Sequence, residues 1–119
     1  MFNTESSLQR AVVNYIKLKY PKARYCASLG GQYQKYPSQR RTAKETGYVK
    51  GFPDLQICEV KGKYHGLFIE LKIWKNAYPS EHQKQWIKDL QDRGYCAEIC
   101  KGFDECIDLI DKYFNLKQQ

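Results

Sequence analysis

Hydrophobic and polar positions alternate most clearly between Leu67 and Ile73. Successive side chains of a β-strand point to opposite faces, so this alternation predicts a strand with one entirely aliphatic face. The other face presents Phe68 together with Glu70 and Lys72. A carboxylate and an ammonium group on an otherwise apolar strand are costly to bury unless they pair or carry a function. The strand is therefore a candidate both for the core and for chemistry.

Three other segments have the composition of strands, namely Arg24–Ser28, Asp54–Val60 and Tyr95–Cys100. The short Lys61-Gly62-Lys63 connection predicts that Asp54–Val60 forms an antiparallel hairpin with Gly66–Ile73. Pro53 cannot donate a ladder hydrogen bond, so it is expected at the start of its strand. Asp54 then lies at a strand entrance, from which its carboxylate can reach the face of a neighbouring strand.

Helical periodicity predicts three amphipathic helices, over Thr4–Lys19, Ser80–Asp92 and Asp104–Phe114. The polar stretch Gln34–Lys50 follows the first strand, and Ser38–Glu45 within it can form a short helix. The order of these elements predicts an α/β fold, in which a small mixed sheet is flanked by helices. That order is helix, strand, polar insertion, two strands, helix, strand and helix. At 119 residues without a linker or repeat, we expect one domain over residues 1–119.

The positive charge of the chain is concentrated in its first half. The formal net charge is +7 with a pI near 9.1, and residues 1–50 hold ten basic residues against two acidic ones. Such asymmetry is expected when one face binds a polyanion, although a solvated basic surface is the alternative. A hydrophobic content of 42% with 14% aromatic residues argues against wholesale disorder. Charge therefore favours a folded domain that binds nucleic acid.

The five cysteines form an odd set without a C-x-x-C pair or a zinc pattern. Four of them lie in apolar runs, which predicts small buried thiols in a reducing compartment. The sequence shows no signal peptide, membrane span or lipidation motif. These observations predict an intracellular, cytoplasmic protein without a membrane partner.

Asp54, Glu70 and Lys72 are the candidate catalytic group. Phosphodiester hydrolysis needs an in-line water, relief of charge at the phosphorus centre and stabilisation of the leaving oxygen, which one or two Mg²⁺ ions can supply. Two carboxylates suit such a hard cation, and a nearby lysine can orient the attacking water or help deprotonate it. The alternative is a buried ion pair in which Lys72 only neutralises a carboxylate.

Two residues of the predicted helices extend this group. Glu5 lies on the apolar side of the first helix, where it can point at a metal or simply favour the helix dipole. Gln83 continues the buried stripe of the second helix towards the sheet. Ser80 to Gln83 is also a capping box, and from the residues alone the cap is the preferred role of Gln83.

The basic stretch between the first strand and the hairpin is the candidate nucleic-acid surface. Its lysines and arginines can contact phosphates, while its tyrosines can pack against sugars or exposed bases. The paired glycines just before it can cradle a phosphate, although a plain turn is more common. The candidate DNA-binding residues are Gly30, Gly31, Tyr33, Lys35, Arg40, Arg41, Lys44 and Lys50.

Pro53-Asp54 followed by Glu70-Leu71-Lys72 resembles the PD-(D/E)XK signature of the restriction-endonuclease-like superfamily. The wider pattern is similar to the VRR-NUC (virus-type replication–repair nuclease) family. It comprises Glu5, Gly30-Gly31, the run Gly51 to Leu55, the run Phe68 to Lys72, Gln83 with Trp86 and Leu90, Gly94, the Tyr95–Cys100 strand and the run Gly102 to Glu105. The resemblance therefore spans nearly the whole chain.

The resemblance implies a nuclease that depends on Mg²⁺ or Mn²⁺ and has an αβββαβ core. Carried over by position, Asp54, Glu70 and the backbone carbonyl of Leu71 are metal ligands, and Glu5 is a further ligand, direct or through water. Lys72 is the catalytic lysine, and Gln83 matches a helix glutamine of the family, which favours a catalytic role for Gln83 over the cap. A chain of this size resembles the stand-alone phage and bacterial members, which implies a homodimer that cleaves Holliday junctions or other branched DNA in repair or recombination.

Three functions remain open at this point. The first is a structure-selective endonuclease, and the second is a restriction-like or nicking nuclease with sequence preference. The third is a DNA-binding module that keeps the fold and does not cleave. The intact Asp54, Glu70 and Lys72 favour cleavage, because a decayed site usually loses one of them.

Overall fold

The computed structural model describes residues 2–28 and 36–117. Its elements are α1 (Glu5–Lys19), β1 (Tyr25–Ala27), α2 (Pro37–Glu45), β2 (Leu55–Ile57), β3 (Leu67–Lys72), α3 (Glu81–Asp92), β4 (Cys96–Lys101) and α4 (Phe103–Phe114). The order and type of these elements confirm the predicted α/β fold. Most boundaries differ from the predicted ones by a residue or two.

The four strands form one sheet in the order β1-β2-β3-β4. The β1–β2 and β2–β3 pairs are antiparallel, and the β3–β4 pair is parallel. The predicted hairpin is confirmed, since Leu55 pairs with Ile69 and a bridge between Lys61 and Tyr64 closes the turn. The sheet is therefore mixed, and β3 lies inside it between an antiparallel and a parallel neighbour.

β2 is shorter than the predicted Asp54–Val60 strand. At its start, Asp54 uses a side-chain oxygen to accept a hydrogen bond from the Leu71 N–H, at 2.7 Å. At its end, Glu59 directs its carbonyl to the Tyr113 hydroxyl, at 2.6 Å, and its carboxylate to the Arg24 N–H, at 2.8 Å. Side-chain contacts thus surround both ends of β2, although the Asp54 carbonyl still accepts the Ser28 N–H and the Cys58 N–H still donates to the Arg24 carbonyl.

The sheet is packed between helices on two faces. The aliphatic face of β3 contacts α1 and α4 in the main core, which consists of Leu8, Val12, Ile16, Leu55, Ile57, Leu67, Ile69, Leu71, Cys100, Cys106, Ile110 and Tyr113. On the opposite face, α3 buries Ile87 and Leu90 against Phe68 and Ala97. The alternation of β3 therefore divides the two layers as predicted, and Glu70 and Lys72 project on the α3 side.

The prediction of small buried thiols is confirmed for Cys100 and Cys106, and Cys96 is partly buried. It is wrong for Cys26 and Cys58, which are exposed. These two cysteines lie on the face of β1 and β2 opposite the main core, to which Leu55 and Ile57 belong. A thiol in an apolar run is exposed there because strand alternation directs it away from the core.

α2 differs from the other helices because none of its side chains is buried. It packs against no other helix or strand within residues 2–28 and 36–117. A helix of this kind receives no stabilisation from the core, so its polar surface is available for contacts outside the domain. In the part of the chain that the structure describes, no helix is long and apolar enough to cross a membrane.

Candidate active site

A cleft of about 390 Å³ opens beside β3 and the first turns of α1 and α3. Four of the predicted site residues line it, namely Glu5, Asp54, Glu70 and Gln83. Lys50 from the predicted DNA-binding set lines it as well. Residues that are far apart in the sequence are thus brought together in one place, as the resemblance implied.

Glu70 is the most deeply buried charged residue of the site, with 2% of its surface exposed. Burial raises the pKa of its carboxyl group most, and together with the charge and hydrogen bonding of Asp54 it brings this pKa to about 9 against the opposing effect of Lys72. Ionisation is unfavourable here mainly because the carboxyl group is buried, and a second carboxylate in the same poorly solvated place adds to the cost. Lys72 therefore offsets the crowding of acids only in part, and a bound cation would offset it further.

Asp54 is fixed by the end of the sheet. Its Oδ2 accepts the Leu71 N–H at 2.7 Å, and its backbone carbonyl accepts the Ser28 N–H at 2.9 Å. The N–H and C=O of one strand residue point to the same edge of the strand. The Leu71 carbonyl therefore lies on the Asp54 side of β3, as its predicted role as a ligand requires.

Lys72 lies between two carboxylates that come from different elements. Its Nζ is 3.8 Å from Glu5 Oε2 and 3.9 Å from Glu70 Oε2. Both separations are too long for hydrogen bonds, although the Lys72 side chain is only 13% exposed. The ammonium group is thus close to both acids without a tight contact to either, which differs from a fully formed buried ion pair.

Glu5 is the first residue of α1, and Thr4 caps this helix by accepting the Ser7 N–H at 3.0 Å. The carboxylate of Glu5 faces the cleft, where burial raises its pKa and the charge of Lys72 lowers it. Its position fits both predicted roles, because the start of the helix is also the rim of the cleft.

Gln83 combines the two roles that the sequence presented as alternatives. Its Oε1 accepts the Ser80 N–H at 2.9 Å, and its own N–H donates to Ser80 Oγ at 3.1 Å, which completes the capping box. Its Nε2 simultaneously donates to Glu70 Oε2 at 3.0 Å. The two ends of one amide group therefore link the N-terminus of α3 to the buried carboxylate.

The segment before β2 is held against α3. The Trp86 ring N–H donates to the Lys50 carbonyl at 3.1 Å, and the Phe52 and Trp86 rings meet edge to face with centroids 4.9 Å apart. Gly51 has a φ of +92°, and a Cβ there would lie 2.7 Å from the carbonyl carbon of His82. Only glycine fits both the conformation and the space, so this packing fixes Lys50 and Asp54 beside the cleft.

Within residues 2–28 and 36–117, no group of three or more His, Cys, Asp or Glu side chains stands ready to hold a metal ion. Mg²⁺ does not require such a group, because it keeps several waters and is held by one or two carboxylates. Asp54 and Glu70, with the Leu71 carbonyl on the same side of β3, match that donor set. The crowding of acids that raises the Glu70 pKa is a further reason why these residues fit a divalent cation.

The predicted DNA-binding residues fall into three groups. Arg40, Arg41 and Lys44 are exposed on α2. Lys50 is exposed at the cleft. The remaining predictions, Gly30, Gly31, Tyr33 and Lys35, lie outside the described residues.

Sequence reasoning missed several residues that line the cleft, among them Thr4, Ser28 and Tyr48. Ser28 follows β1 and lies opposite Asp54, because Ala27 pairs with Leu55. The sequence carries no signal for this register. Tyr48 carried a weak signal, as an aromatic residue within the basic stretch.

Comparison with protein families matches residues 3–104 to the VRR-NUC domain. A solved structure described as a VRR_NUC domain protein is 34% identical in sequence and superposes with a TM-score of 0.83. The match covers 99% of this chain and 93% of the chain in that structure. A second, described as a VRR_NUC domain, is 20% identical, covers 92% of this chain and 96% of its own, and has a TM-score of 0.63, which supports the fold alone. No curated protein matches. With a family match over most of its length, the chain belongs to the VRR-NUC family and has its nuclease-type fold.

Proposed function

We propose that this protein is a Mg²⁺- or Mn²⁺-dependent endonuclease that hydrolyses phosphodiester bonds in DNA and selects branched structures such as Holliday junctions. The observation that supports this best is the convergence of Asp54, Glu70 and Lys72 beside one cleft, which also contains the basic residue Lys50. The buried acids account for metal binding, and the basic residues account for the choice of a polyanionic substrate.

A bound divalent cation would stabilise the charge on the phosphate and lower the pKa of a coordinated water. Asp54 and Glu70 would hold it, together with the Leu71 carbonyl, and Glu5 would contribute directly or through water. Lys72 would orient the attacking water and stabilise the negative charge that develops on the phosphate oxygens. Gln83 would act as a positioning residue, because its amide fixes the Glu70 carboxylate at 3.0 Å.

Substrate binding would extend from the cleft to α2. Arg40, Arg41 and Lys44 are exposed on a helix without a buried side chain, so contacts with phosphates would not disturb the core. Lys50 would contact the strand that enters the cleft. The homodimer is proposed from the resemblance to stand-alone members, since two symmetric clefts would cut the two matching strands of a junction.

Cleavage of labelled DNA tests this proposal directly. Four-way junction, flap and linear duplex substrates are incubated with Mg²⁺, with Mn²⁺ or with EDTA. We expect cleavage that requires the metal and is faster on branched DNA. Asp54→Asn and Lys72→Ala should reduce the rate by at least about 100-fold, whereas Lys63→Ala, at the other end of β3, should cleave like the parent.

The alternatives give different results in the same assay. Cleavage at one sequence in linear DNA would favour a restriction-like or nicking nuclease. Binding without cleavage under every metal condition would favour the non-cleaving module. Full activity of Asp54→Asn and Lys72→Ala would show that the site has been assigned to the wrong residues. Light scattering with and without a junction measures the predicted dimer.

A further inference from the structure

The loop that connects β3 to α3 begins and ends beside the candidate active site, and it exposes two aromatic side chains. Trp74 is 47% exposed and Tyr78 is 78% exposed. The other tryptophan, Trp86, is instead partly buried and engaged in ring contacts and a hydrogen bond. Large aromatic rings left in water next to a binding cleft often mark an interaction surface, and none of the roles assigned above uses this loop.

The loop is braced by its own turn and by the end of β4. The Ala77 N–H donates to the Trp74 carbonyl at 3.1 Å. Lys101 Nζ donates to the Lys75 carbonyl at 3.0 Å and lies 5.0 Å from the centroid of the Tyr78 ring. The two rings are therefore presented from an anchored loop, and most of the Tyr78 ring remains open to solvent beside its contact with Lys101.

Both ends of this loop adjoin the candidate active site. Lys72 precedes Trp74 by two residues, a separation of at most about 7 Å along an extended chain. Ser80, which lines the cleft, follows Tyr78 by two residues. A DNA strand with a phosphate in the cleft would therefore pass close to one or both rings.

The charge of the loop matches a polyanion. Residues 72–80 include Lys72 and Lys75 and no acidic residue, and Lys101 adds a third ammonium group beneath Tyr78. The next acid along the chain, Glu81, is paired with Lys84 at 3.3 Å. Lys72 is opposed by Glu5 and Glu70, so Lys75 and Lys101 supply the positive charge beside the rings. Aromatic rings next to such cations are typical of surfaces that bind single-stranded nucleic acid.

We propose that Trp74 and Tyr78 stack on unpaired bases next to the phosphate that enters the cleft. Within a duplex the face of each base is covered by its neighbours, so a ring can stack only where a base is unpaired or unstacked. The inference rests on the proposed nuclease function and specifies its substrate class: DNA with single-stranded bases beside the cleaved bond, as at flaps and junction points. Lys75 and Lys101 would contact the phosphates of the same strand.

Binding measured without catalysis tests the inference separately from the nuclease function. Fluorescence anisotropy in EDTA compares a single-stranded oligonucleotide, a flap and a blunt duplex. We expect Trp74→Ala and Tyr78→Ala each to weaken binding of the single strand and the flap by about 5- to 100-fold, with less than about a twofold change on the duplex. Trp74→Phe should keep most of the affinity, since a ring remains.

Leu18→Ala is the matched control, because Leu18 is 85% exposed and lies at the opposite end of α1 from Glu5, about 20 Å along the helix. It should bind all three DNAs like the parent. Single-stranded DNA should also quench the tryptophan fluorescence of the parent, and that of Trp74→Phe much less. Both rings are exposed, so thermal melting should show that the variants are folded.

Unchanged affinity in both alanine variants would overturn the inference, as would an equal loss on the single strand and the duplex. Altered sedimentation with unchanged DNA binding would show instead that the rings form a protein interface. A parent that binds single strands through the rings but cleaves nothing would leave the inference standing and refute the nuclease function. If the parent cleaves DNA and the ring variants bind every substrate with the affinity of the parent, the nuclease function stands and the stacking inference is refuted.

Discussion

Glu70→Gln should change how the stability of the protein depends on pH. The pKa of Glu70 is raised from its ordinary value of 4.5 to about 9, first by burial and then by Asp54. Between these values the folded protein holds a proton that the unfolded chain has released. The contribution of Glu70 to the free energy of unfolding of the parent should therefore be greatest below about pH 4.5 and should fall as the pH rises towards 9. Glutamine cannot titrate, so the variant lacks this loss.

The size of the effect follows from the shift. One pH unit between the two pKa values corresponds to at most ~1.4 kcal/mol. From about pH 5.5 to pH 8.5, the free energy of unfolding of Glu70→Gln should therefore rise by about 2 to 4 kcal/mol relative to that of the parent. Urea unfolding in EDTA at several pH values measures it. Glu98→Gln, at an exposed position on β4, is the control for exchanging a carboxylate for an amide.

Added Mg²⁺ supplies the second half of this experiment. A cation at Asp54 and Glu70 would favour the ionised carboxylates, so Mg²⁺ should stabilise the parent most at high pH and should stabilise Glu70→Gln much less. If the free energies of unfolding of the parent and Glu70→Gln change in parallel with pH in EDTA, burial does not raise the pKa of Glu70. Equal stabilisation of both proteins by Mg²⁺ would show that the ion binds elsewhere.

Three further predictions test neighbouring parts of the site. Gln83→Ala should lower both the free energy of unfolding, by about 1 kcal/mol, and the cleavage rate. Ser80→Ala should produce a similar loss of stability with a smaller effect on rate, so equal rates in the two variants would assign Gln83 to the cap alone. Gly51→Ala should destabilise more than Gly47→Ala, because both glycines have positive φ but only Gly51 packs against another helix; equal melting temperatures would contradict this. Replacing the three basic residues of α2 with alanine should weaken DNA binding and reduce the slope of log K against log salt concentration by up to about 3, and an unchanged slope in anisotropy titrations would remove α2 from the interface.

The parts of the fold that could be predicted are those with a local signal. β3 was predictable because its alternation separates an aliphatic face from one with Glu70 and Lys72. The helices were predictable because their apolar positions repeat with helical spacing and because Thr4 and Ser80 cap the first turns. In each case the residues that determine the structure lie within a few positions of one another.

The remaining features depend on contacts between distant segments. The register that sets Ser28 opposite Asp54, and the exposure of Cys26, follow from which strands pair and which face a helix covers. From the sequence, the cap and the contact with the site are alternative roles for Gln83. The sequence does not show that Gln83 can fill both, because the distance from α3 to Glu70 is set only by packing. The surroundings of β2 likewise depend on distant contacts, such as that of the Tyr113 hydroxyl, which donates to the Glu59 carbonyl.

The exposure of α2 has a consequence for how this domain can diversify. Since the helix buries no side chain, its sequence can be exchanged without repacking the interior or moving the cleft. If α2 contacts DNA as proposed, thermodynamic stability and substrate preference would be encoded in separate segments and could vary independently. α2 is accordingly the segment in which a designer could exchange side chains, whereas Tyr48, Lys50, Gly51, Phe52 and Asp54, which follow it before β2, line the cleft and would have to stay.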